Sequence, residues 1–133
     1  MPVSIKGGFA FYGYIPDGSK KQHLGIVLGV SDELLKYCYC TSKYSKITRG
    51  IDHIKIPAEK MKAYFAEPRD TYIFISMQHI ITMYLITFRS RIGSEYDIKP
   101  EIGNDIYISI LSRIRNSDNL SERFKNEFFD FLE

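Results

Sequence analysis

Through the first ninety residues the apolar positions fall in short runs rich in aromatic and β-branched side chains, separated by turn residues. Beyond Pro100 they recur every fourth residue. The first pattern predicts strands and the second predicts helices. FAFYGYI at 9–15 runs into Pro16-Asp17-Gly18-Ser19, a strand closed by a turn. HLGIVLGV at 23–30 is continuously apolar, as a strand buried on both faces is, and LLKYCYC at 34–40 returns as the second arm of a hairpin after Ser31-Asp32-Glu33. A polar loop at 41–50 then leads to IDHIKI at 51–56, a short strand without a clean face. Pro57 suits the first position of a short helix reaching Phe65, with Ala58, Met61 and Phe65 on one side. TYIFIS at 71–76 and IITMYLITF at 80–88 read as two further strands, although a buried helix imitates the second run.

The period then changes. From Pro100 the residues Ile102, Ile106, Ile110 and Ile114, widened by Leu111, form the stripe of an amphipathic helix. Asn119, with Glu122 three positions on, suits the cap of a last helix whose apolar face is Leu120, Phe124, Phe128, Phe131 and Leu132. The expected whole is a mainly β, α+β fold: one domain over 1–133, a small barrel or strongly bent sheet, with a C-terminal helical extension at about 119–132.

Composition narrows the classes. With 44% hydrophobic and 26% charged residues the chain is globular, and no apolar run approaches the roughly 18 residues of a membrane span. The N-terminus lacks the apolar stretch of a signal peptide, so a cytoplasmic protein without membrane contact is expected. Cys38 and Cys40 stand at i and i+2 and read as reduced strand thiols. His23, His53 and His79 have no metal-ligand spacing, so neither metal nor other cofactor is assigned. There is no Walker loop, nucleophile elbow or HExxH.

The net charge of +2 hides an asymmetry. Residues 1–62 carry ten Lys/Arg against five Asp/Glu, residues 63–133 eight against eleven. The basic excess gathers at Lys20, Lys21, Lys36, Lys43, Lys46 and Arg49, which suits phosphates or a solvated loop face. Lys20-Lys21 lead into His23 at the start of one strand, and Thr41, Ser42 and Lys43 follow the end of the next. In an antiparallel hairpin those two ends are neighbours, so His23 is expected to meet the Thr41-Ser42-Lys43 group at one rim.

This arrangement resembles the MazF/PemK, or growth-inhibitor, family of toxin ribonucleases. HLGIVLG at 23–29 matches the family's second strand, Thr41-Ser42 the element after its third, and RSRIGSE at 89–95 with the following isoleucine helix its ending. The resemblance spans roughly residues 8–115. It implies an SH3-like barrel of the MazF/PemK/CcdB type, a homodimer, and metal-independent cleavage of single-stranded RNA that leaves a cyclic phosphate. It also implies an antitoxin partner whose acidic, flexible segment covers the basic groove. Position by position, His23 stands where the family has a catalytic Arg and Thr41 where it has a catalytic Thr. Leu24 replaces its Pro, Gly29 its Ser, and FISMQHI at 74–80 lacks the acidic residue some members use.

Histidine in place of arginine suits the chemistry. Cleavage of RNA by its own 2′-hydroxyl needs a proton acceptor, a proton donor for the leaving oxygen and donors for the phosphorane charge, and histidine serves either proton role near neutrality. The expected roles are His23 as acid or base, Thr41 and Ser42 as phosphate donors, and Lys21 or Lys43 as compensating charge. Lys20 and Lys46 would hold the backbone, and Tyr44 would stack on a base. Plainer readings stand beside these: a packed strand-end histidine, hydroxyls bonding their own turn, solvated lysines and core aromatics. At the level of function the rivals are a non-catalytic RNA- or protein-binding module and a CcdB-like gyrase-inhibiting toxin. The acidic face of the last helix, Glu122, Glu127, Asp130 and Glu133, is a solvated face or an internal mimic of RNA, and its phenylalanines pack on the barrel or extend a dimer interface.

Overall fold

A computed structural model describes residues 4–15, 21–42 and 50–133. The Pro16–Ser19 turn, Lys20, Lys43, Tyr44, Lys46 and Arg49 lie outside the described residues. The strands are β1 (Ala10–Tyr14), β2 (Gln22–Ser31), β3 (Leu34–Thr41), β4 (His53–Ile56), β5 (Thr71–Phe74), β6 (Ile80–Tyr84) and β7 (Asp97–Lys99). The helices are α1 (Leu85–Arg91), α2 (Asn104–Asn116) and α3 (Glu122–Leu132). All strand pairings are antiparallel, in the order β4-β5-β3-β2-β1-β7, with β6 branching from β3. The fold is therefore a mainly antiparallel sheet with helices, two of them C-terminal, as the pattern of periods predicts.

β3 organises the sheet. One edge pairs with β2, while the other pairs with β6 along Leu34–Cys38 and with β5 at Cys40 and Thr41. Alternation along the strands sends side chains to two different cores. Leu24, Ile26, Leu28, Cys38, Cys40 and Ile73 face one way, under the α2 and α3 residues Ile110, Ile114 and Phe128. Phe11, Val27, Leu35, Tyr37 and Tyr39 face the other way, with Phe88 of α1 and Tyr96. Burial on both sides explains why β2 reads as unbroken apolar sequence. It also explains Gly25, where a Cβ would stand 2.2 Å from the Phe11 ring.

Several boundaries differ from expectation. The 80–88 run is not one strand: β6 stops at Tyr84, opposite Leu34 where β3 begins, and the chain turns into α1. With no further ladder partner, residues 85–91 satisfy their backbone within a helix, and Arg89 and Arg91 sit favourably at its C-terminus. The helix expected from Pro57 is a single tight turn, Ala58–Met61. β7, three residues on the far edge of β1, has no legible sequence pattern, and Gly93 at φ 89° makes the turn before it. α2 begins at Asn104 rather than Pro100, and its isoleucine stripe packs on the sheet as expected. The last helix is capped by Ser121, whose hydroxyl accepts from the Phe124 amide. Asn119 instead accepts from the Asp52 amide, tying β4 to the turn between α2 and α3. Among the described residues no helix is long and apolar enough to cross a membrane.

Candidate functional site

The β1-β2-β3 ribbon carries the candidate site at its open end. The β2–β3 ladder ends at Gly25 and Tyr39, and two residues further out stand His23, paired with Gly13 of β1, and Thr41, the last residue of β3. The two sequence-predicted residues are thus brought to one rim. Thr41 pairs on its other edge with Tyr72 of β5, which in turn pairs with Lys55 of β4. One row across the sheet therefore reads Thr41, Tyr72, Lys55.

The half-buried His23 ring lies against Tyr39, centroids 5.4 Å apart, and its Nδ1 is 2.9 Å from the Cys40 carbonyl. A carbonyl oxygen only accepts, so the proton resides on Nδ1 and the basic lone pair of the neutral ring on Nε2. A cleft of about 530 Å³ opens at this end. Lys21, His23, Thr41 and Ser42 all line it, with the Leu24 and Cys40 side of the sheet as its floor. The predicted residues that can be placed therefore share one cleft. The remaining four, Lys20, Lys43, Tyr44 and Lys46, lie outside the described residues.

Glu67 and Arg69, both exposed, also line this cleft, and sequence reasoning did not single them out. They belong to the loop before β5, and only the pairing of Thr41 with Tyr72 brings that loop to the rim. The Arg69 carbonyl accepts from the Thr71 hydroxyl at 3.0 Å, which fixes the loop at the strand start. Arginine presents a planar fork suited to a phosphate, and a carboxylate is a second proton carrier beside His23.

Cys40 is no nucleophile. Burial pushes its thiol well above the ordinary range and that of Cys38 up to about 12, and the Cys38 thiol donates to the Ile26 carbonyl. Both cysteines are free and buried on the helix-covered side, as reduced strand thiols would be. Among the described residues no three His, Cys, Asp or Glu converge on a common metal position. A larger cleft, about 980 Å³, lies between β4 and α2. Three of its polar groups are joined to one another: Arg113 donates to Asp52 at 2.9 Å, and Asn119 accepts from the Asp52 amide. It therefore reads as a structural joint.

His53 and His79 are better placed than their sequence context suggests. His79 contacts both Tyr39 and Phe74, with centroids 5.7 and 5.3 Å away, and its Nδ1 is 2.6 Å from the Ser76 hydroxyl. His53 contacts Phe74 and Tyr72 at 6.0 and 5.9 Å. No protein-family model, curated protein or solved structure matches this chain.

Proposed function

We propose that the protein is a metal-independent endoribonuclease of the MazF/PemK-like toxin type, on an SH3-like sheet, which cuts single-stranded RNA in the cleft between His23 and Thr41. The observation that supports this reading is the cleft that His23 and Thr41 both line, with the His23 Nδ1 proton held by the Cys40 carbonyl. Nε2 takes the proton of the 2′-hydroxyl, the 2′-oxygen bonds to phosphorus, and the bond from phosphorus to the 5′-oxygen breaks. The imidazolium returns its proton to that leaving oxygen, giving a cyclic phosphate and a 5′-hydroxyl. Thr41 and Ser42 donate to the phosphorane oxygens, and Lys21 and Arg69 offset their charge. DNA lacks the 2′-hydroxyl and is not cut. The partners this reading carries are a second copy of the chain and an acidic antitoxin that occupies the same cleft.

The test is digestion of a long single-stranded RNA in excess EDTA, with the cut ends mapped. Wild-type protein should give discrete cuts with cyclic-phosphate ends, and folded His23→Ala and Thr41→Ala proteins should lose on the order of 100-fold or more in rate. RNA left intact across many sequences would sink the enzyme and leave a binding module on the same sheet.

A further inference from the structure

With both proton steps on His23 and the phosphate charge met by Lys21 and Arg69, one wall of the cleft is left without a role. That wall is Tyr12, Phe65 and Glu67. Tyr12 pairs with Leu24, so its side chain stands on the sheet face that floors the cleft. Its ring meets Phe65 edge to face, centroids 6.1 Å apart, and the Lys99 ammonium lies over it at 5.7 Å. Phe65 is anchored in turn, because its amide donates to the carbonyl of fully buried Met61 at 3.1 Å. Both rings are half-buried, whereas Glu67 and Arg69 beside them are exposed. Among the described residues, neither the Glu67 carboxylate nor the Arg69 guanidinium is engaged in an ion pair or a side-chain hydrogen bond.

We propose that this wall is a base-selecting subsite, on which a guanine flanking the cut phosphate packs against Tyr12 and Phe65 and is read by the Glu67 carboxylate. The inference rests on the ribonuclease reading for its occupant. At about 530 Å³ the cleft falls within the roughly 300–1,000 Å³ range of small-ligand sites, room for a nucleotide unit beside His23 and Thr41. A cleft for phosphate alone gains nothing from a carboxylate on its rim, because the two repel; a base with donors on its edge gains two acceptors. An ionised carboxylate only accepts, and its two oxygens suit two adjacent donors. Guanine alone of the four bases offers them, the N1–H and the 2-amino group on its Watson–Crick edge. Adenine and cytosine set a lone-pair nitrogen beside their amino group, and uracil sets its N–H between two carbonyls, so each turns an acceptor towards the carboxylate. Lys21 and Arg69 on the same rim keep the phosphate favourable beside the Glu67 charge.

The probes are short, end-labelled single strands with every 2′-position methylated, which cannot be cut. They carry uracil throughout except for a central guanine, adenine, cytosine or hypoxanthine, beside an all-uracil strand, and fluorescence anisotropy reads their affinities. Wild-type protein should bind the guanine probe about five- to hundred-fold more tightly than the adenine, cytosine and uracil probes. Hypoxanthine, which keeps the ring N–H and lacks the amino group, should fall between. Glu67→Gln, a change of one atom at an exposed position, exchanges an acceptor for a donor and should erase the preference. Tyr12→Leu should weaken every probe about five- to hundred-fold and keep their order. In unmodified RNA every mapped cut should flank a guanine. Equal affinity for all probes, a preference that folded Glu67→Gln retains, unweakened binding by folded Tyr12→Leu, or cuts away from guanine overturns the subsite, even while the protein cuts RNA. So does a Glu67→Gln protein that cuts every RNA more slowly with the probe order unchanged, since Glu67 then carries a proton and reads no base. A Glu67-dependent guanine preference in a protein that never cuts RNA upholds the subsite and overturns the nuclease. Neither binding nor cutting overturns both.

Discussion

The two faces of the sheet are built from different chemistry. The face under α2 and α3 takes mainly aliphatic side chains from the sheet, Leu24, Ile26, Leu28 and Ile73 around two thiols, and the helices cover it with Ile110, Ile114 and Phe128. The opposite face is aromatic and only half covered: α1 and Tyr96 seal one end, and at the other end the rings pass into a half-exposed imidazole row of His23, His79 and His53, ending at Tyr72. Aliphatic side chains contribute burial and little else. Rings contribute burial where they are enclosed and a recognition surface where they are not. The contrast assigns stability to the helix-covered face and to the sealed half of the aromatic one, and leaves the remaining half only partly covered.

The largest expected effect tests the division within the aromatic face. Phe11 is fully buried, lies over Gly25 and touches Tyr37, Phe88 and Tyr96 at centroid distances of 4.8 to 5.2 Å. Phe11→Ala should destabilise the protein by about 3–5 kcal/mol. Tyr72→Leu, in the half-exposed row, should cost less than about 1 kcal/mol. Urea unfolding of both variants reads the difference. Equal losses would make the row part of the core, and the division would fall.

The aliphatic face has its own signature in alkali. Burial raises the Cys38 thiol to about 12 and Cys40 well above its ordinary 9.0. Because the folded values exceed the unfolded ones, the neutral thiols contribute their full stability below pH 9, and that contribution is lost as pH rises from 9 towards 12. Ionisation of either thiol therefore weakens the fold progressively through this window. Tyrosines ionise in the same range, so the comparison is with the Cys38→Ala, Cys40→Ala double variant. The wild type should lose stability from pH 8 to 10 more steeply than the variant. Parallel curves would mean that water reaches the thiols and that the helices do not close this face.

Much of this architecture is legible in the chain because each strand carries its burial in its own residues. The continuous run of β2 and the four-residue repeat of α2 need no tertiary information. The failures share a cause. α1 replaces the end of a strand because β3 offers no edge beyond Leu34, and β7 exists because β1 has one to spare; neither fact is written locally. The site divides in the same way. His23 and Thr41 meet because a hairpin brings its two open ends together, which the sequence shows, although the register shift between Val27 and Gly29 is not written there. Glu67, Arg69 and Tyr72 arrive through the pairing of β3 with β5, strands separated by some thirty residues, and His79 through the pairing of β3 with β6, which it directly precedes.

The smallest effect separates two anchors that the sequence merges into one. Ser121 caps α3 by accepting from the Phe124 amide at 3.1 Å, whereas Asn119 holds the Asp52 amide at the start of the β4 arm. Ser121→Ala should cost about 1 kcal/mol and Asn119→Ala a similar amount. Stability alone does not distinguish them, but amide hydrogen exchange does. Ser121→Ala should speed exchange at Phe124 and leave Asp52 unchanged, and Asn119→Ala should do the reverse. Neither should alter RNA cleavage beyond its effect on the folded fraction, because neither Ser121, Asn119 nor any residue of α3 lines the His23 cleft, and α3 packs with Leu132 against Gly29 and Phe128 in the core. If Ser121→Ala slowed cleavage in fully folded protein, the helix would be acting through the sheet on the imidazole row, and the two faces would have to be treated as one coupled unit.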